Sequence, residues 1–161
     1  MGRRNLESRA TGEKNSLRHL WESRDPLRVV FNFLVIYTAK YVPFLELKND
    51  LLRLTGMRIG ENVSIGLAAM FDIFYPELIE IGENSVVGYN VTILAHEYLI
   101  KEMRVGKVKI GKNVMLGANS TVLAGVSIGD GATVSAATLV DRTVPKKNFA
   151  KGNPMKVVKK K

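Results

Sequence analysis

Over the C-terminal two thirds of the chain, apolar side chains return every six positions, a period that belongs neither to an amphipathic helix nor to a half-buried strand. The units read IGENVS, IGLAAM and FDIFYP from Ile59, and ELIE then intervenes. IGENSV, VGYNVT and ILAHEY follow, and after LIKEMRVGKVK (Leu99 to Lys109) the count resumes as IGKNVM, LGANST, VLAGVS, IGDGAT, VSAATL and VDRTVP. Eleven of these twelve units open with an aliphatic residue and the other with Phe71. The second position is often Gly, and the fifth is mostly small or β-branched, as at Val63, Ala69, Ser85, Val91, Val114, Ser120, Val126, Ala132 and Thr138. Ordinary alternating strands would instead place an apolar residue at every second position between irregularly spaced turns.

A six-residue unit of this kind is a short strand plus a corner. The aliphatic residue points inward, and Gly or Asn takes the backbone angles that a sharp turn requires. Three units close a triangular coil, so twelve predict four coils stacked about 4.8 Å apart by strand hydrogen bonds. Stability then accumulates coil by coil, as in other solenoids.

The hexads, a histidine followed by a long break, and the closing GNPMKVV together resemble the hexapeptide-repeat acyltransferases, and within them the galactoside and maltose O-acetyltransferases. The resemblance implies a mainly β chain, a left-handed parallel β-helix of about four coils with an N-terminal helical extension. That hand is opposite to the usual crossover rule and is carried by the family, not by the spacing. The domain reading is a helical extension over residues 1–58, the β-helix over 59–145 and a basic segment over 146–161.

His96 is the fourth residue of ILAHEY, so it sits near a corner and outside the aliphatic column, at the edge of the longest break in the repeat. A loop leaving a rigid scaffold there can wall a site. The resemblance implies that His96 is the general base of direct acetyl transfer from acetyl-CoA to a sugar-like hydroxyl. No acyl-enzyme is implied, which agrees with the absence of cysteine. An imidazole, with an ordinary pKa near 6.5, is suited to take that proton at neutral pH. Asp72, in the glycine position of FDIFYP, and Glu97, next to the histidine, are the candidate acceptor-binding residues. The resemblance also implies a homotrimer, with the pantetheine arm lying between subunits against Met115, Ala118 and Ala136. Arg142, Lys156 and Lys159 would meet the cofactor's phosphates.

The formal net charge of +9 permits an anionic partner, and the lysines concentrate at the C-terminal end. No nucleic-acid motif accompanies them, and a phosphate-bearing small molecule would use the same charges. Two other function classes fit a β-helix of hexads. One is a non-catalytic scaffold. The other is a zinc hydratase resembling the γ-class carbonic anhydrases, which the inventory disfavours: such a site commonly needs three protein ligands, and the repeat has one histidine and the chain no cysteine. No metal is expected, and a cytoplasmic setting fits.

Outside the hexads, DPLRVVFNFLVIYTAKYVPFLELKNDLLRLTG predicts a helix from about Pro26, a break at Pro43 and a second helix ending near Gly56. Asp25 before Pro26 forms a cap and first-turn pair. The first helix is apolar on most faces, which one amphipathic stripe does not explain. It packs on protein, or lies in a membrane interface flanked by Arg24, Arg28 and Lys40. Its longest apolar run falls short of the roughly 20 residues a spanning helix needs.

Overall fold

The structure, a computed structural model, describes residues 4–159. The hexads form three parallel sheets that make the faces of a prism. The first face stacks Arg58–Ile59, Ile79–Ile81, Val108–Ile110 and Ser127–Ile128. The second stacks Ser64–Ile65, Val86–Val87, Met115–Leu116, Thr133–Val134 and Asn148–Lys151. The third stacks Met70–Phe71, Thr92–Ile93, Thr121–Val122 and Leu139–Val140.

Register explains the two interruptions. On the first face Ile59 pairs with Ile81, Ile81 with Ile110, and Ile110 with Ile128, offsets of 22, 29 and 18 residues. The same offsets recur from Phe71 to Ile93, Val122 and Val140. An eighteen-residue coil therefore absorbs four extra residues once and eleven once without losing register. All twelve opening residues are buried and form the central column. Each such side chain contributes about 1.5 to 3 kcal/mol by leaving water.

Two of the prism's edges are chains of left-handed corners. Between the first and second faces these are Asn62, Asn84, Asn113, Gly131 and Lys147; between the second and third they are Ala68, Asn90, Asn119 and Ala137, all with positive φ. Asn adopts that conformation at lower cost than most L-residues. Here its side chains also pair along the edge, with Asn84 donating to Asn113 at 2.6 Å and Asn90 to Asn119 at 2.9 Å. At Gly117 a Cβ would meet the Ala136 backbone nitrogen at 2.4 Å, so the close stacking of rungs excludes a side chain there.

The N-terminal extension closes the open end of the first coil. After a short helical turn, α1 (Leu20–Ser23), come α2 (Pro26–Tyr41) and α3 (Leu45–Leu54). Asp25 caps α2, its carboxylate accepting from the Leu27 and Arg28 N–H groups. Three side chains of α3 donate to carbonyls that have no rung beneath them. Lys48 reaches Ile65 and Gly66 at 3.2 and 3.1 Å, Asn49 reaches Val63 at 2.8 Å, and Arg53 reaches Ile59 and Gly60 at 3.1 Å. An unprotected strand edge invites further pairing, and these donors occupy it. α2 lies on the third face and buries a narrow stripe, Val29, Asn32, Ile36 and Ala39. α2 also packs against α3, with Arg28 donating to the Thr55 carbonyl at 3.0 Å.

At the far end Asn148–Lys151 adds a parallel rung to the second face, and Lys156–Lys159 folds back on it antiparallel. The third edge, between the third and first faces, is the irregular one. There the eleven-residue break is a β-hairpin, with His96–Tyr98 antiparallel to Glu102–Val105. A strand from the chain's N-terminal arm, Glu7–Ala10, pairs on the hairpin's outer side.

Candidate active site

Asp72 and His96 begin the two interruptions, one coil apart on the third edge, and their side chains meet. His96 Nδ1 lies 2.5 Å from Asp72 Oδ2. Asp72 is 2% exposed and accepts three further bonds, from the Ala95, Phe74 and Tyr75 backbone N–H groups at 2.8, 2.8 and 3.0 Å. Burial works against its charge, but the bond and charge of His96, with the Tyr75 and Ala95 N–H groups, prevail and hold the carboxyl below its usual range. An ionised carboxylate only accepts, so Nδ1 is the donor. Neutral His96 then carries its lone pair on Nε2.

Aromatic rings fix the imidazole from several sides. Phe74 meets it edge-on with centroids 5.0 Å apart, Tyr98 lies at 4.7 Å and Tyr75 at 5.9 Å. Burial, reinforced by neighbouring Tyr75, pushes the Tyr98 phenol up to about 12, so it is a neutral hydroxyl at physiological pH. The Arg24 guanidinium stands 3.7 Å from the Tyr75 ring centroid and pairs with Glu77.

Cross-strand partners share a face of a sheet. The registers His96 with Val105 and Glu7, and Tyr98 with Met103 and Arg9, therefore put these residues on one side of the hairpin sheet. A groove of about 360 Å³ opens there, lined by Glu7, Arg9, Ser23, Tyr75, Met103 and Val105. A smaller hollow of about 170 Å³ continues it past Arg9 and Ser23 to Thr11, Ser16 and His19. Thr11 Oγ1, Ser16 Oγ and His19 Nε2 are buried without a protein hydrogen-bond partner. A larger concavity of about 630 Å³ lies away from this edge, beside Arg53, Arg58 and Glu83.

The other residues singled out from the sequence fall in three places. Glu97 is on the opposite side of the hairpin sheet from His96 and pairs with Arg4. Arg142 lies on the third edge, two coils beyond His96, and forks onto Asp141 at 2.7 and 3.0 Å. Met115 points outward from the second face, 48% exposed. Ala118 and Ala136 sit on successive rungs of the edge between the second and third faces, where Ala118 O accepts from Ala137 N at 2.9 Å. Lys156 pairs with Lys151 beside that edge, while Lys159 lies opposite Asn148 at the other end of its strand. Within one chain, then, His96, Asp72 and Arg142 share one edge, and Met115, Ala118, Ala136 and Lys156 lie along another part of the prism.

Sequence reasoning missed Tyr75, Phe74 and Tyr98 as the walls around His96; the one available signal was the aromatic content of FDIFYP. It also missed the arm. ESRA carries no apolar alternation, and all four residues are exposed, so no local signal marks it as a strand. Among the described residues no three His, Cys, Asp or Glu side chains converge as a metal site.

The family model described as the hexapeptide repeat of succinyl-transferase matches residues 56–95 and 107–142, and the gap between them is the His96 hairpin. "Putative acetyltransferase YvoF" of Bacillus subtilis (strain 168) is 53% identical over 145 residues, covering 89% of this chain and 84% of that protein. "Putative acetyltransferase SAR0816" of Staphylococcus aureus (strain MRSA252) is 43% identical over 142 residues, covering 88% of each chain. The fold matches that of a galactoside acetyltransferase solved in complex with coenzyme A, with TM-score 0.66 and 20% identity over 90% of each chain. It also matches a maltose O-acetyltransferase from Clostridium difficile 630, with TM-score 0.63 and 20% identity over 92% of this chain and 98% of that one. The chain belongs to the hexapeptide-repeat acetyltransferase family, whose prism is the left-handed parallel β-helix. Its activity class is acetyl transfer.

Proposed function

We propose that the chain transfers an acetyl group from acetyl-CoA directly to a hydroxyl of a sugar or sugar-like acceptor. The observation that carries the reading is the His96–Asp72 pair, a buried carboxylate holding an imidazole in one tautomer beside a groove. The acceptor oxygen attacks the thioester carbonyl carbon while His96 Nε2 takes its proton. The tetrahedral intermediate then collapses, the carbon–sulfur bond breaks, and the imidazolium returns the proton to the departing thiolate. The products are an acetyl ester and free coenzyme A. Base catalysis of this kind contributes roughly 10² to 10⁴ in rate. Asp72 acts as a positioning residue and not as an acceptor ligand, since all its contacts are inward.

Aromatic side chains beside polar groups suit the ring face and hydroxyls of a sugar. Tyr75 with Glu7 and Arg9 supplies that combination in the groove next to His96. The donor side draws on the separation of the two edges. In a trimer, the edge carrying His96 would abut a neighbouring chain's second face and its Met115, Ala118 and Ala136, forming a complete site from two chains. Arg142, Lys156 and Lys159 would take the phosphates. An acetyl-CoA donor sets the reaction in the cytoplasm.

A thiol-release assay with acetyl-CoA and a panel of mono- and disaccharides tests the proposal. The expected result is acceptor-dependent release of free thiol with a matching acetyl ester. Folded protein that neither binds coenzyme A nor releases thiol with any hydroxylated acceptor would refute it in favour of a scaffold.

A further inference from the structure

The hollow beyond the His96 groove is lined by polar atoms that the protein itself does not serve. Thr11 Oγ1, Ser16 Oγ and His19 Nε2 are buried around it without a hydrogen-bond partner among the described residues. Ser16 is 1% exposed, so its hydroxyl is fixed in that wall. Buried polar atoms are nearly always paired, and three left over around one recess point to a ligand that pairs them. None of the three belongs to the hexads. Thr11 continues the arm strand, its N–H donating to the Lys101 carbonyl at 3.0 Å, and Ser16 and His19 bound the helical turn that follows. The Ser16 N–H donates to the Leu99 carbonyl at 3.1 Å, so this wall is fastened to the hairpin at both ends.

We infer that this hollow is a second subsite, built by the N-terminal arm, for a neutral, hydroxyl-bearing unit linked to the one acetylated at His96. The acceptor is then a di- or oligosaccharide, a deepening that rests on the acetyl-transfer reading. Continuity gives the first argument. Arg9, Ser23 and Met103 line both the groove and the hollow. Glu7 stands in the His96 register, and Arg9 and Thr11 lie about 7 and 14 Å farther along the arm at roughly 3.4 Å per residue. One sugar ring held at His96 does not cover that span, whereas a chain of rings does. Hydrogen-bond sense gives the second. His19 Nδ1 lies 2.9 Å from Glu22 Oε1, and a carboxylate only accepts, so Nδ1 donates and neutral His19 turns a lone pair on Nε2 inward. That atom needs a donor, while the Thr11 and Ser16 hydroxyls both donate and accept. Alcohols satisfy all three, and an ionised phosphate or carboxylate offers Nε2 nothing. Charge agrees, because Glu22 shares the lining with Arg9 and the hollow does not select an anion. A neighbouring chain set against this edge is the competing occupant. Two adjacent rungs of the face assigned to that contact turn Val86 and Met115 outward, 46 and 48% exposed, and neither has a donor for Nε2. A flat strand ladder also does not enter a recess of about 170 Å³.

Calorimetric titration of the full chain without acetyl-CoA tests this separately from turnover. The probes are methyl glucoside, methyl galactoside, maltose, cellobiose, lactose and glucose 6-phosphate. At least one disaccharide is expected to bind at least about tenfold more tightly than either methyl glycoside. T11V/S16A/H19F should bring that ratio to within about twofold of one. It should keep the wild-type melting temperature, because the buried atoms it removes have no partner to lose. Should the triple variant fail to fold, Ser16→Ala alone is titrated and should lower the ratio at least about threefold. The inference is overturned if no disaccharide binds more tightly than the methyl glycosides, or if the ratio survives in the variant. Tighter binding of glucose 6-phosphate than of every disaccharide also overturns it, since the hollow would then be an anion site. So does a triple variant that sediments as a smaller species than wild type, because a neighbouring chain would then fill the hollow. Disaccharide binding as expected, in protein that releases no thiol with any acceptor, would leave the subsite standing and refute acetyl transfer.

Discussion

Two edges of the prism are built by repetition and the third by interruption. Along the repeated edges the same corner recurs rung after rung in a left-handed conformation, bound by backbone and asparagine bonds to the rung before. Nothing there is free to vary in length without breaking the stack. On the third edge the corners differ in every coil, and the two longest carry Asp72 and His96. A rigid column tolerates insertions at one corner provided that each returns in register. The two groups to which we assign catalysis, at the two departure points, are held by the most rigid part of the molecule while the inserted chain shapes the groove.

The contrast can be broken at several points. The largest effect is expected on the third edge. Asp72→Asn replaces an acceptor that has four donors with an amide that cannot satisfy them all, and it removes the charge that fixes the His96 tautomer. Turnover should fall by at least about a hundredfold, measured as thiol release, while coenzyme A affinity stays within a few-fold. The same substitution should lower stability with a defined pH dependence. The Asp72 carboxyl is held below its ordinary 3.8. The stabilisation it gives is thus fully present above that value and lost as the pH falls through the lower folded-state value. Melting temperatures of wild type and Asp72→Asn should converge in acid below about pH 4.

A smaller effect is expected at the capped end. Lys48→Met keeps the bulk of the side chain but leaves the Ile65 and Gly66 carbonyls without their donor. A loss of about 1 to 3 kcal/mol in denaturant unfolding is expected, with little change in turnover per folded molecule. On the repeated edges the effect is smaller again. Ala137 occupies a left-handed corner where the two preceding rungs of the same edge use Asn90 and Asn119. Ala137→Asn should stabilise by roughly 0.5 to 1 kcal/mol, and Asn119→Ala should destabilise by about 1 kcal/mol. Smallest is the effect of Glu97→Gln on catalysis. Glu97 faces away from the groove toward Arg4, so turnover should change less than about threefold; a much larger loss would move the acceptor site to the other side of the hairpin.

The hexads told most of the fold in advance. The column from Ile59 to Val140, the corner asparagines and even the sizes of the two interruptions could be read from spacing, because each coil repeats the same local requirement. His96 stood out for a related reason: it sits where that requirement lapses. What the spacing could not carry was contact between distant segments. Glu7–Ala10 becomes a strand only because the hairpin offers it an edge. The segment ELKNDLLR was legible as part of a second helix, but nothing in it told that Lys48 and Asn49 are buried against the first coil. Asp72 reads from the sequence as an acceptor-binding residue, and its position one coil below His96 makes it half of a buried pair instead.

The central claim is that His96 removes the acceptor proton. Its most direct measurement is single-turnover thiol release by His96→Ala, with coenzyme A binding measured in parallel on the same folded protein. The account predicts at least about a hundredfold slower acetyl transfer with coenzyme A binding within about threefold of wild type. Transfer at a near-normal rate would contradict it and move the base elsewhere in the groove.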